Sequence, residues 1–107
     1  GSAWLYLGLS QYALADYRGA AGSLERAMSL EPGSSTAANL GAAYLALKMF
    51  PDAERVLTYA TTKDSSNAVA WYNLGWALRS LARETEAQRA WRRALELGYA
   101  PARSLVR

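Results

Sequence analysis

The side chains able to do chemistry in this chain are nine carboxylates, ten arginines, two lysines, seven tyrosines and four tryptophans, with scattered hydroxyls and amides; histidine and cysteine are absent. That absence removes the usual zinc ligand sets, thiolate and Ser–His nucleophiles, disulfides and imidazole proton switches together. The acids Asp16, Glu25, Glu31, Asp52, Glu54, Asp64, Glu84, Glu86 and Glu96 fall on turns or on second helices of the pairs derived below. No two of them converge where a substrate could be enclosed, so the chain is not expected to be an enzyme, and no catalytic, metal or cofactor residue is assigned.

The cations are unevenly placed. Residues 1–78 hold five bases and six acids, whereas residues 79–107 hold seven arginines against Glu84, Glu86 and Glu96, within a net charge of +3. Arg79, Arg83, Arg89, Arg92 and Arg93 could meet an acidic partner. They do not recur along the chain, however, so no continuous track for a phosphate backbone exists, and nucleic acid is a disfavoured partner. Arginines spaced along a helix read as a solvated face. What remains for chemistry is recognition by apolar, aromatic and amide side chains.

Those side chains need elements to position them. Alanine (22) and leucine (16) dominate the apolar residues, against three valines and no isoleucine, which predicts an all-α chain. A length of 107 residues supports one compact unit. The longest uncharged runs, 1–15 and 32–47, are broken by Gly, Ser, Gln or Asn and fall short of the ~18 apolar residues a membrane span requires, so no membrane insertion is expected. Gly1-Ser2 resembles the remnant of a cleaved tag and no signal peptide precedes it. The expectation is a soluble protein, cytoplasmic or, in a bacterium, periplasmic.

An internal repeat organises the rest. Gly8, Gly41 and Gly75 recur 33 and 34 residues apart, each after a leucine (Leu7, Leu40, Leu74). Twelve residues on stand Ala20, Ala53 and Ala87, and seven further Ala27, Ala60 and Ala94. Each copy therefore holds two amphipathic helices, with small residues where the two approach closely and Trp4, Leu24, Tyr44, Leu57, Trp71 and Trp91 filling the spaces beside them. The tryptophans in these columns read as core. Helices are predicted near 2–14, 17–30, 35–47, 51–63, 68–81 and 84–97. Asp16 and Pro51 supply start signals, Glu31-Pro32-Gly33 and Asp64-Ser65-Ser66-Asn67 are turns, and Pro101 would open a seventh helix.

These columns resemble the tetratricopeptide repeat, whose pattern is W-x2-L-G-x2-Y, then A-x3-F, A and P. Copy one supplies Trp4, Leu7, Gly8, Ala20, Leu24, Ala27 and Pro32; copy three supplies Trp71, Leu74, Gly75, Ala87, Trp91 and Ala94. Copy two keeps Asn39-Leu40-Gly41-x-x-Tyr44 but has Ala37 and Ser65 in place of the tryptophan and proline. The resemblance spans essentially the whole chain and implies a right-handed α-solenoid of three helix-turn-helix repeats (1–33, 34–67, 68–101), with 102–107 beginning a cap or a further helix.

In that family the first helix of each pair lines a concave groove, which places there Leu5, Leu9, Tyr12 and Ala13 from copy one, Ala38, Ala42, Leu45 and Ala46 from copy two, and Val69, Tyr72, Trp76, Arg79 and Ser80 from copy three. Asn39 and Asn73 occupy a position where the family's asparagine holds a guest backbone. Trp76 is not required by the fold and reads as a ligand contact. The family's carboxylate clamp for chaperone tails uses lysine and asparagine where this chain has Leu5 and Leu9, asparagine at Asn39, and lysine and arginine where it has Val69 and Asn73, so it matches only at Asn39. Chaperone-tail recognition is therefore not expected.

The sequence thus points to a scaffold or assembly module binding a peptide or helix of a partner protein, and less directly to self-assembly through the solenoid ends. Only residues 101–107 are left to cover Ala90, Trp91, Ala94, Leu95 and Leu97 of the last repeat helix, which predicts an exposed apolar patch at the C-terminal end and, there, either pairing with another chain, as in a homo-oligomer, or a parent protein that continues with further repeats.

Overall fold

The computed structural model describes residues 2–107 as six helices: α1 (Ser2–Ala13), α2 (Tyr17–Leu30), α3 (Ser34–Ala46), α4 (Phe50–Lys63), α5 (Ala68–Ser80) and α6 (Glu84–Glu96), followed by a single 3-10 turn at Ala100–Ala102. Gly1, half of the pair read as a tag remnant, lies outside the described residues. There is no strand among them, and the body is elongated, 39 × 24 × 21 Å. Pro101 opens that one turn and not a full seventh helix.

Local chemistry sets the helix ends. The Asp16 carboxylate accepts a hydrogen bond from the Gly19 N–H at 3.0 Å, the Asn67 side chain accepts from the Ala70 N–H at 3.1 Å, and Pro51 sits in the first turn of α4. Inside each pair the turn is closed by the same six-residue backbone bond: Asp16 N to Gln11 O, Met49 N to Tyr44 O and Arg83 N to Leu78 O, at 2.8–2.9 Å. The preceding residues Ala15, Lys48 and Ala82 adopt left-handed φ of 60–63°. A side chain there costs roughly 1–2 kcal/mol, so the turn is held by the helices it joins.

The small residues are where the repeat predicts them. Ala20, Ala53, Ala87, Ala27, Ala60 and Ala94 are all buried. A Cβ on Gly8, Gly41 or Gly75 would collide with Leu24, Leu57 or Trp91, sixteen residues on in each pair. Each second helix thus pushes one large side chain into a notch in the first. Successive pairs stack α2 on α3 and α4 on α5, while α1, α3 and α5 touch along one side. Tyr44 O–H donates to Glu25 across the first stacking interface, and burial together with that carboxylate pushes the phenol pKa upward. The result is an all-α helical-repeat solenoid.

Two expectations about burial are corrected. Trp91 is fully buried, but Trp4 and Trp71 are only half covered. Trp4 has no preceding helix pair against it and lies under the Arg26 guanidinium at 5.2 Å, and Trp71 packs at the core margin with its Nε1–H donating to Ser65 O at 2.9 Å. The apolar end is also the opposite one. The segment after α6 seals that helix: Ala102 is fully buried, and Leu105 and Val106 pack against the core. Trp91 points into the notch of its own helix pair, so it was never available to a following helix. The exposed apolar residues cluster on the first pair instead, at Tyr6, Leu7, Leu14 and Leu30.

Candidate peptide-binding site

The touching faces of α1, α3 and α5 enclose a trough in two contiguous parts. One, of about 220 Å³, is lined by Leu9, Tyr12, Asn39, Ala42, Val69 and Asn73 over a floor that includes Leu24. The other, of about 340 Å³, continues from Tyr12, Ala42 and Asn73 to Leu45, Ala46, Phe50, Trp76 and Ser80. Every lining side chain is uncharged. Alanines at 42 and 46 keep the middle shallow while Tyr12 and Trp76 form its walls, and aromatic walls supply large contact area at small entropic cost.

Asn39 and Asn73, 34 residues apart, are half-buried in this trough, and no described residue hydrogen-bonds either side chain. Each amide offers a donor and an acceptor, the two functions a peptide bond needs.

Not every residue expected in the groove lines it. Leu5 borders a separate hollow with Ala27, Glu31 and Ser34–Thr36, beside the α2–α3 connection. Ala38 is buried under neighbouring alanines. Tyr72 packs against Tyr99 with the rings tilted, centres 4.9 Å apart, and meets Trp76 edge-on at 6.3 Å, so it buttresses the trough from behind. Arg79 lies over the rings of Trp76 and Trp91 at 6.0 and 5.5 Å, with its Nε 3.5 Å from Glu84. Its charge is answered within the protein, and it does not form a basic rim. Trp76 itself packs edge-on against Trp91 at 5.2 Å, which fixes the ring that faces the trough. Phe50 was missed by sequence reasoning: it precedes Pro51 at the start of a second helix, and only the return of that helix beneath α3 brings it to the trough.

Among the described residues no three potential metal ligands cluster, and no helix is long and apolar enough to cross a membrane. The Arg83 guanidinium bridges Glu54 and Glu86 at 2.6 Å each, tying α4 to α6, and is spent on structure.

A family model described as tetratricopeptide repeat matches residues 2–34, and the fold coincides with the Arabidopsis OM64 TPR domain at TM-score 0.89 and 28% identity, over 91% of this chain and 81% of that one. The fold is that of tetratricopeptide-repeat domains, and residues 2–34 match the family's own model. The first TPR of Spaghetti (RPAP3), solved bound to the HSP90 peptide SRMEEVD, superposes on this TPR chain with TM-score 0.87 and 26% identity, over 90% of this chain and 77% of that one. The Sgt2 TPR domain from Aspergillus fumigatus gives 0.86 and 26%, covering 90% and 64%. No curated protein matches the sequence.

Proposed function

We propose that this TPR chain is a protein-interaction module, working by binding and not by catalysis, that holds an uncharged, apolar segment of a partner protein in the trough of α1, α3 and α5. One observation carries the reading: the trough is lined without a charge, yet contains two unengaged amides one repeat apart. The amides of Asn39 and Asn73 hold the backbone of the guest, and Leu9, Tyr12, Leu45, Val69 and Trp76 select its side chains. The relative solved with SRMEEVD takes an acidic peptide. Here Leu5, Val69 and Asn73 stand where a clamp would need cations, so a carboxylate placed in the trough would be desolvated without a partner charge.

A peptide selected from a random library against the chain provides the test. Trp76→Ala should weaken it at least tenfold, which is about 1.4 kcal/mol or more and typical of a central aromatic. Leu30→Ala, on the outer face, should leave its affinity unchanged. SRMEEVD should not compete. Competition by that peptide, or indifference to Trp76→Ala with helicity retained, overturns the assignment.

A further inference from the structure

We infer that α6 carries a second peptide-binding site, outside the trough, which takes a short segment with two apolar residues followed by arginine and is occupied in this structure by the chain's own Leu105, Val106 and Arg107. The site centres on Gln88, a buried amide on α6. Its Nε2 donates to Leu105 O at 2.8 Å, and its Oε1 accepts from Arg107 N at 2.9 Å. One side chain therefore satisfies both backbone groups that flank Val106, which is how a peptide backbone is gripped irrespective of sequence. Selectivity comes from what surrounds it. Leu105 and Val106 pack against the core, and Arg107 Nη2 stands 3.5 Å from Glu84 Oε1. That carboxylate oxygen is buried and accepts no hydrogen bond, so the receptor for a guanidinium is present and only loosely filled by Arg107. Arg92 adds a long contact of 3.4 Å to the Arg107 carbonyl.

The same helix position contacts the following element earlier in the chain. Glu54 on α4 is the counterpart of Gln88, thirteen residues after the notch glycine, and there it receives Arg83 from the next pair at 2.6 Å. On α6 an incoming main chain takes that place. Apolar cover alone would need no such bidentate amide; Ala102 is already fully buried without one. Because only the short link from α6 connects the segment to its site, its effective local concentration is on the order of millimolar, and a free peptide competes poorly until the tethered one is weakened.

The test uses the full chain with Leu105→Ser and Val106→Ser together, and a fluorescein-labelled hexapeptide Ala-Arg-Ser-Leu-Val-Arg. The peptide should bind this variant at least tenfold more tightly than the parent chain. Glutamate in place of the peptide's last arginine, or Gln88→Ala added to the protein, should each remove most of that binding. No binding to the helical double variant, or binding that survives Gln88→Ala, overturns the inference and leaves residues 101–107 as a local cap. Should the double variant lose helicity, the parent chain decides. Millimolar peptide should accelerate hydrogen exchange of the Arg107 amide at least tenfold while a scrambled hexapeptide does not, and an unchanged rate overturns the inference equally.

Discussion

The first and last helix pairs are built from the same columns of residues and end in opposite states. In the first, Leu7 is 45% exposed and Tyr6 68% exposed; in the middle and last pairs the counterparts of Leu7, Leu40 and Leu74, are 3% and 7% exposed. The last pair is sealed on its far side by Ala102, Leu105 and Val106 and tied by Gln88, whereas in the first Leu7 and Leu14 are exposed and Trp4 is covered in part by Arg26. A column residue is therefore worth what its neighbour makes it worth, and the energetics of the chain follow position in the stack more than residue type.

The contrast is broken most severely at the notch glycines. Gly75→Ala drives a Cβ into the rigid Trp91 ring, well inside 3.0 Å, and should cost about 3 kcal/mol even after the roughly 1 kcal/mol that alanine returns in helix propensity. Gly8→Ala meets Leu24 Cγ at 2.7 Å, a side chain that can change rotamer where the indole cannot, and should cost less, about 1 kcal/mol. Urea denaturation of the two variants checks the order, and equal losses would mean that the ends are packed alike.

Next in size is the leucine column itself. Leu40→Ala empties a closed site and should lose about 3 kcal/mol, while Leu7→Ala at the open end should lose about 1 kcal/mol, since much of its surface is already in water. Comparable values would show that Leu7 is covered in solution by something this structure lacks.

The smallest effect is acid sensitivity. Asp64 is held below its ordinary 3.8 by hydrogen bonds from the Ser66 side chain and backbone, and Glu86 below its ordinary 4.5 by the bidentate hold of Arg83. Both carboxyls have lower pKa values folded than unfolded, so their stabilisation is complete above the ordinary values and is lost as pH falls through the folded ones. Both groups are exposed and belong to the later part of the chain. Acidification from about pH 6 to about pH 3 should therefore reduce amide protection modestly in α5 and α6 and less in α1. Uniform loss would assign the effect to net charge.

The repeat register made most of this legible. The columns Gly8/Gly41/Gly75 and Ala20/Ala53/Ala87 place every helix pair to within a residue or two, and the family resemblance points to Leu9, Tyr12, Asn39, Leu45, Val69, Asn73 and Trp76 as neighbours in one trough. Arg79 and Tyr72 departed from expectation because their partners, Glu84 and Tyr99, lie outside the helix that carries them, and helical phase alone says nothing of such contacts. The ends were misjudged for a related reason. A seven-residue segment with little helix-forming length covers α6 with Ala102, Leu105 and Val106 and is held there by the Gln88 amide, a backbone contact to which hydrophobic patterning is blind.

That asymmetry between ends has a symmetry consequence. Stacking that continues head to tail builds filaments, but here Leu105 and Val106 cover the far face of α6, while the α1 face leaves Tyr6 and Leu7 exposed. Two such faces can meet only about a two-fold axis, and once they do, both remaining ends are closed. A pair formed through two α1 faces would carry Leu105 and Val106, packed on α6, at both of its outer ends.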